Sequence, residues 1–341
     1  MKESLVNDLR CPVDGVRLRL EVGSRAPSGE IQSGQLISAS GRRYRIEQGV
    51  PNLAPEFRSA QEQSTVEAFG REWGRYNNFD GFMGSEAFFR QFTGLSRQDV
   101  AGKRVLEVGC GGGRWLRILS EMGAHSVIGL EYSAAAHEAA AYVSGLPNVE
   151  VVRGSALAVP LAPNFDLVIS VGVIHHLADP AGGLQNIRKV VAPVHNVVIW
   201  VYAHEGNGVY LAFVSPLRWV TSRCPERLVV LLSKCLASLL WLHIRTVNRM
   251  AVSLGLRLPL REYLVMLGDL RHRDLELIAF DQLTPQLARY PRRSEVLEWI
   301  AAAGGVVDRM HHRTGNSWQV HYHYPPSVPS PTRQDFARSI E

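Results

Sequence analysis

The sequence predicts a doubly wound α/β domain with a mostly parallel, seven-stranded sheet, a small N-terminal β module and a helical insertion. Three observations predict it. From Lys103 to Ala203, apolar runs (KRVLEV, HSVIGLE, NVEVVRG, FDLVISV, NVVIWVYA) alternate with segments of helical pattern (RWLRILSEMG, SAAAHEAAAYVSG, PAGGLQNIRKVVA). The runs are apolar throughout, as strands are when helices cover both faces of a parallel sheet. A glycine turn, VGCGGGR at 108–114, follows the first of these strands.

The elements follow in chain order. Residues 1–58 are short apolar runs broken by Gly, Pro and Ser, a pattern of hairpins. Residues 59–102 form a helical leader crowded with aromatics, in which Phe69, Trp73 and Tyr76 stand at i, i+4 and i+7, one helical face. In 103–325 the first helix ends on Gly123, and the second has Ser133 at its N-cap and Gly145 after its end. An insertion at 207–275 is apolar and helical, including LVVLLSKCLASLLWLHI at 228–244. SEVLEWIAAAG and a strand pair around VVDRMHHR and SWQVHYHYP close the domain. The Pro- and Ser-rich tail at 326–341 is expected to be disordered.

Composition sets outer bounds. The 341 residues are 46% hydrophobic and 20% charged, ordinary values for a globular protein. A net charge of +5 admits a nucleic acid, an anionic lipid or an acidic small molecule and selects none of them. Cys11, Cys110, Cys224 and Cys235 show no CxxC spacing, so neither a zinc site nor a disulfide framework is indicated. MKESLVNDLRCP lacks the apolar stretch of a signal peptide, and a cytoplasmic location is expected.

The glycine turn carries the chemistry. Gly109, Gly111 and Gly113 allow positive φ and a close backbone approach to a ligand. In open α/β sheets, ligands bind beyond the carboxyl ends of the strands, where this turn should lie. The dinucleotide fingerprint GxGxxG fails, because its last position is Arg114, and no GxxxxGK[ST] run exists. Glu131, at the tip of the second strand, can accept hydrogen bonds from both hydroxyls of a ribose. An adenosine-containing ligand accounts for the turn, the acidic tip and the strand spacing together.

VLEVGCGGGR, VIGLEYS and VVRGSALAVPLAPNFDLVISVGVIHHLADP, with their strand order and spacing, resemble the class I S-adenosylmethionine-dependent methyltransferases. The resemblance runs from about Ser64 to Tyr202, with a weaker echo through SEVLEWIAAAG. It implies that the glycine turn packs against the amino-acid portion of S-adenosylmethionine and that Glu107 supports the turn. It further implies that Glu131 holds the ribose, that Tyr132 flanks the adenine, and that Ser155, Ala156 and Val171 complete the cofactor-binding set. Ser155 stands where the family commonly has Asp, and Pro193-Val194-His195 where it usually has Pro-Gly-Gly; an altered loop is expected there. LRCPVDGVRL and GRRYRIEQGVPNLAP resemble a zinc-ribbon-like domain found before many bacterial methyltransferases and in a small activator subunit of tRNA and protein methyltransferases. Asp14, Ser38 and Gly41 occupy the places of expected cysteines, so no metal is expected.

Methyl transfer to a hydroxyl calls for a base. His175 and His176, just after the fourth strand, are the candidates, although loop shaping is the favoured explanation for them. Trp73 and Tyr76 are candidates for a lid over the acceptor, and Tyr202 and His204 for its far wall. The 228–244 segment reads as a buried helix covering the site, with membrane-surface contact as the alternative. Lys234 near its middle argues against a span. Arg257, Arg261, Arg271, His272 and Arg273 read as a solvated basic face. The leading reading is a methyltransferase acting on oxygen, less so nitrogen, of a small and lipophilic molecule. The alternatives are an RNA methyltransferase, less favoured because no dense basic stripe with interleaved aromatics exists, and a non-catalytic cofactor-binding activator subunit.

Overall fold

The computed structural model describes residues 1–256 and 261–326; Arg257 and the expected tail beyond Pro326 lie outside them. The N-terminal module is a four-stranded antiparallel sheet of β1 (Leu18–Arg25), β2 (Ile31–Ser38), β3 (Arg43–Glu47) and β4 (Val50–Pro51), in that spatial order. β3 and β4 are joined by a two-residue turn with φ of 52° at Gln48 and 77° at Gly49, the double positive φ of a tight hairpin. The module shares its core with the larger domain, since Leu9, Leu36, Ile46 and Leu53 pack in one cluster with Val152, Leu161 and Phe165. The Leu53 amide donates to the Arg153 carbonyl at 2.8 Å, which ties the module to the edge of the large sheet.

The leader folds as α1 (Ala60–Arg75), α2 (Glu86–Thr93) and α3 (Arg97–Val100). Ser59 caps α1 by accepting from the Glu62 amide. The large domain then alternates: β5 (Arg104–Val108), α4 (Arg114–Glu121), β6 (Ser126–Glu131), α5 (Ala135–Tyr142), β7 (Val149–Arg153), β8 (Phe165–Val171), α6 (Pro180–Arg188) and β9 (Val191–Tyr202). Two helix ends differ from the sequence reading. Ala134 is the N-cap of α5, although the Ser133 hydroxyl still accepts from the Ala135 amide at 3.2 Å. Lys189 ends α6, because the β-branched residues that follow pair with β8 rather than extend the helix. β9 continues through 193–195, where an altered loop was expected, but its register with β8 jumps there from Phe165↔Val191 to Leu167↔Asn196.

After β9 come α7 (Gly208–Thr221), α8 (Glu226–His243), a π-helical turn (Ile244–Asn248), α9 (Arg249–Ser253), α10 (Arg261–Leu267) and α11 (His272–Leu283). The helical insertion therefore reaches past residue 275 to the end of α11. α12 (Arg293–Ala302), β10 (Val306–Arg313) and β11 (Ser317–His323) complete the chain.

The large sheet has the order β10-β11-β9-β8-β5-β6-β7, parallel from β9 to β7, with β11 antiparallel to both β9 and β10. Strand alternation sends Leu106, Val108, Ile128, Leu130 and Val168 into one core, and Val105, Val127, Val149, Leu167 and Ile169 into the other. β5 lies between β6 and β8, so the connections leave it in opposite directions. The crevice that results opens at its carboxyl end.

Candidate active site

That crevice is a cavity of about 500 Å³ lined by the ends of β5, β6, β8 and β9, by α1 and by α10 and α11, within the usual size range of small-molecule sites. Its lining includes Gly109, Glu131, Tyr132, Ser155, Ala156 and Val171. Gly109 has φ of 76°, and a Cβ there would run into the Val173 side chain. Gly111, at φ 53°, lies so close to the Trp73 indole that a Cβ would fall 2.6 Å from it. α1 therefore closes over the turn only because the turn has no side chains. Gly113, at φ 86°, packs against Ala139 of α5. We expect Gly109→Ala to lower cofactor affinity at least about tenfold and to destabilise the fold by roughly 1–3 kcal/mol, the cost of overpacking. Calorimetric titration and thermal melting would check both, and an unchanged affinity would show that the turn does not cradle the ligand.

Glu131 is 8% exposed. Its Oε2 accepts from the Gly111 amide at 3.0 Å and its Oε1 from the Ser133 amide at 2.8 Å. Each carboxylate oxygen has a further lone pair for a ligand hydroxyl. Tyr132 packs against Phe57, with its hydroxyl donating to the Pro55 carbonyl at 3.1 Å. The Ser155 hydroxyl accepts from the Leu157 amide at 3.1 Å, so it shapes its own turn first. Glu107 sits behind the turn, 1% exposed. Burial pushes its carboxyl well above the usual range, with Arg114 opposing that shift and Glu131 adding to it.

Arg114 was absent from the residues singled out in the sequence, although it directly follows the turn. Its guanidinium lies 3.9 Å from the Trp115 ring centroid and within 6 Å of the Trp73, Phe79 and Phe88 rings. Burial brings its pKa down to about 10, which leaves it cationic near neutrality. Nε and Nη1 have no hydrogen-bond partner, a costly state for a buried cation. An orphaned guanidinium beside a glycine turn and a ribose-competent carboxylate fits S-adenosylmethionine. Arg114 would take the carboxylate of its amino-acid portion and Glu131 the ribose hydroxyls.

The cavity is also lined by Phe69, Glu72, Trp73, Phe92, His176, Trp200, Tyr202, Tyr263, Met266 and Asp281. Three expectations are corrected here. His175 is fully buried, stacks between His176 and Tyr202, has no partner for either ring nitrogen and does not line the cavity. Burial and the neighbouring His176 hold it well below the usual histidine range, so it is a packed neutral side chain rather than a base. Tyr76 is the C-cap of α1. Its hydroxyl donates to Glu276 at 2.9 Å and its ring packs on Phe280, so α11 takes it out of the lid. His204 is exposed and away from the cavity.

His176 does line the cavity. Its Nδ1 lies 2.6 Å from the Leu287 carbonyl; the carbonyl can only accept, so Nδ1 carries the proton and Nε2 is the acceptor nitrogen. Burial, with Arg218 second among the lowering causes, brings its pKa down to about 4. Histidine is then neutral near pH 7 but a poor sink for a proton.

Two carboxylates that sequence reading missed also line the cavity. Glu72 is 2% exposed, and its Oε2 has no partner. Burial, followed by the charge of Asp281, pushes it well above the ordinary carboxylate range. Asp281 is also raised by burial, but Arg218, Gln282 and Tyr202 resist that shift. Gln282 donates to Asp281 Oδ2 at 2.8 Å and the Tyr202 hydroxyl does so at 3.3 Å. Both carboxyls are raised, Glu72 the further of the two, so Asp281 gives up its proton before Glu72 does. Glu72 could have been noticed as a charge inside an aromatic stripe. Asp281, on a helix far along the chain, gives no local signal.

Residues 106–199 match the family model described as a methyltransferase domain. Over 133 residues the chain is 35% identical to a ubiquinone biosynthesis O-methyltransferase of Neisseria meningitidis serogroup A, covering 38% of this chain and 56% of that protein. It is 28% identical over 113 residues to a tRNA U34 carboxymethyltransferase of Stutzerimonas stutzeri, covering 32% and 35%. The chain thus spans about half or less of the length of these relatives. Among solved structures, a SAM-dependent methyltransferase from Aquifex aeolicus aligns with a TM-score of 0.43 at 17% identity, covering 74% of this chain and 97% of that one.

Proposed function

We propose that this chain, whose residues 106–199 match a methyltransferase domain, is a class I S-adenosylmethionine-dependent methyltransferase that methylates an oxygen of a small lipophilic acceptor. The observation that carries the reading is the Glu72–Asp281 pair in a cavity walled by Phe69, Phe92, Trp200 and Tyr202. The cofactor, when bound, supplies an electrophilic methyl group on a sulfonium. The chain's residues do the rest. Arg114, Glu131 and the glycine turn orient the cofactor, and the aromatic walls exclude water and align the acceptor. Asp281, ionised and steadied by Gln282 and Tyr202, takes the acceptor's hydroxyl proton as the oxygen–methyl bond forms. Glu72, neutral, donates a hydrogen bond to the acceptor. A hydroxyl usually needs such a base, whereas an already neutral amine can react after desolvation alone. The relative named as an O-methyltransferase supports oxygen.

The relative named as a tRNA enzyme supports a second reading. The test is to incubate the full chain and labelled S-adenosylmethionine with lipophilic phenols and catechols, with lipophilic amines and with bulk tRNA. Label on a phenolic oxygen is the expected result. Label on tRNA alone, or on amines alone, would overturn the reading.

A further inference from the structure

We propose that the face formed by α7, α8 and α9 docks the protein on the surface of an anionic lipid bilayer, with these helices lying in the plane of the interface. The sequence reading of α8 as a buried helix is corrected by the structure. The continuous helical stretch Glu226–Ser253 is long and apolar enough to cross a membrane, yet only 28% of its apolar window is buried. Phe213 and Trp219 of α7, with Leu231, Leu239, Leu242 and Met250, are all more than half exposed. So large a contiguous apolar area marks a surface that meets something.

The arrangement of side chains says what it meets. On α8, the buried Val229, Val230, Ser233 and Ala237 form the face that packs on α11. At about 100° per residue, Leu228, Leu231, Leu239 and Leu242 form a second stripe on the far side. Arg227, Lys234, Arg245 and Arg249, all exposed, form a row flanking that stripe. Residues 209–256 hold six Lys and Arg against one acidic residue, Glu226; Arg218 is buried against Gln282 and Tyr290, which leaves five cations for the surface. Glu226 is itself paired with Arg75 at 2.7 Å and Arg71 at 3.7 Å. Arg223 lies over Trp219 and Arg245 over Trp241, each at 4.6 Å, pairing an amphipathic ring with a cation as at a headgroup boundary. Apolar rows beside a basic row match acyl chains beneath anionic headgroups. A spanning helix is incompatible with one face held on α11 and with Lys234 at mid-length.

The same surface leads to the cavity. α10 packs on the π-helical turn; its Tyr263 and Met266 line the cavity, while Val265 lines it and is 49% exposed. A lipid-soluble molecule would therefore reach the site along an apolar path. The docking proposal stands on the surface alone and does not depend on the acceptor's identity.

The test is flotation of the full chain with neutral phosphatidylcholine vesicles and with vesicles in which part of the lipid is phosphatidylglycerol, at low and high salt. Selective flotation with the anionic vesicles is expected, weakened by salt. The combined Leu231→Ser, Leu239→Ser, Leu242→Ser variant should lose at least about tenfold of the binding while keeping its cofactor affinity and melting temperature, because those side chains are exposed. Absence of flotation with either vesicle would overturn the proposal. So would a dimer, seen by sedimentation, that the triple variant splits without any vesicle binding, since a second copy would then cover the face. Association that resists alkaline carbonate extraction would also overturn it, in favour of a spanning helix.

Discussion

Asp281→Asn should lower the turnover number by about 10²–10⁴ and leave the affinity for S-adenosylmethionine within a factor of about two. The amide retains the size and most of the hydrogen bonding of the carboxylate but cannot hold a proton. The pH profile separates this role from a structural one. Asp281 works ionised, and burial raises its pKa, so turnover should fall as pH drops through a value above the ordinary carboxylate range. No limb should appear from His176, already neutral above about pH 4. The Asn variant should lose the acid limb. Stability should move the other way. A carboxyl whose folded pKa is raised favours the folded state at low pH, and that contribution is lost as pH rises through the folded value. The variant should therefore melt higher than the parent at alkaline pH and not at acid pH, a trade of stability against function. Glu72→Gln keeps a neutral donor and should cost less than about tenfold. If Glu72→Gln abolishes turnover and Asp281→Asn does not, the two roles are reversed.

Glu131→Ala should weaken S-adenosylmethionine binding by about 10²–10⁴. Two charge-assisted hydrogen bonds to ribose hydroxyls contribute roughly 1.5–3 kcal/mol each, and about 1.4 kcal/mol is a factor of ten in affinity. The substitution also frees the Gly111 and Ser133 amides, which loosens the turn it braces. Calorimetric titration with the cofactor and its demethylated product would measure the loss. Retained affinity in a variant that still folds would remove Glu131 from the ribose and place the cofactor elsewhere in the cavity.

The alternation of strands and helices from Arg104 to Tyr202 was readable in the sequence because strand periodicity and glycine punctuation are local. The glycine turn and Glu131 were readable for the same reason, since each depends on backbone that the flanking residues dictate. The end of α6 was misjudged because Val190, Val191 and Ala192 suit helix or strand, and only pairing with β8 decides between them. Tyr76 was misjudged because a helical stripe says which residues share a face and not which partner that face meets. His175 was misjudged because its position after a strand places its backbone at the sheet edge, while packing turns its ring away from the cavity.

By itself the sequence determined the fold class and the place of the glycine turn at the carboxyl edge of the sheet. Both follow from interactions within a few residues. Only the tertiary structure decided that Glu72 and Asp281 line one cavity, that Arg114 Nε and Nη1 are buried without partners, and that α8 shows its apolar side to the exterior. Glu72 and Asp281 lie far apart in the chain, and their protonation depends on burial and on each other. An apolar helix looks the same in sequence whether another helix covers it or nothing does. Burial and electrostatic environment are properties of what surrounds a residue, and that is set only when distant elements pack.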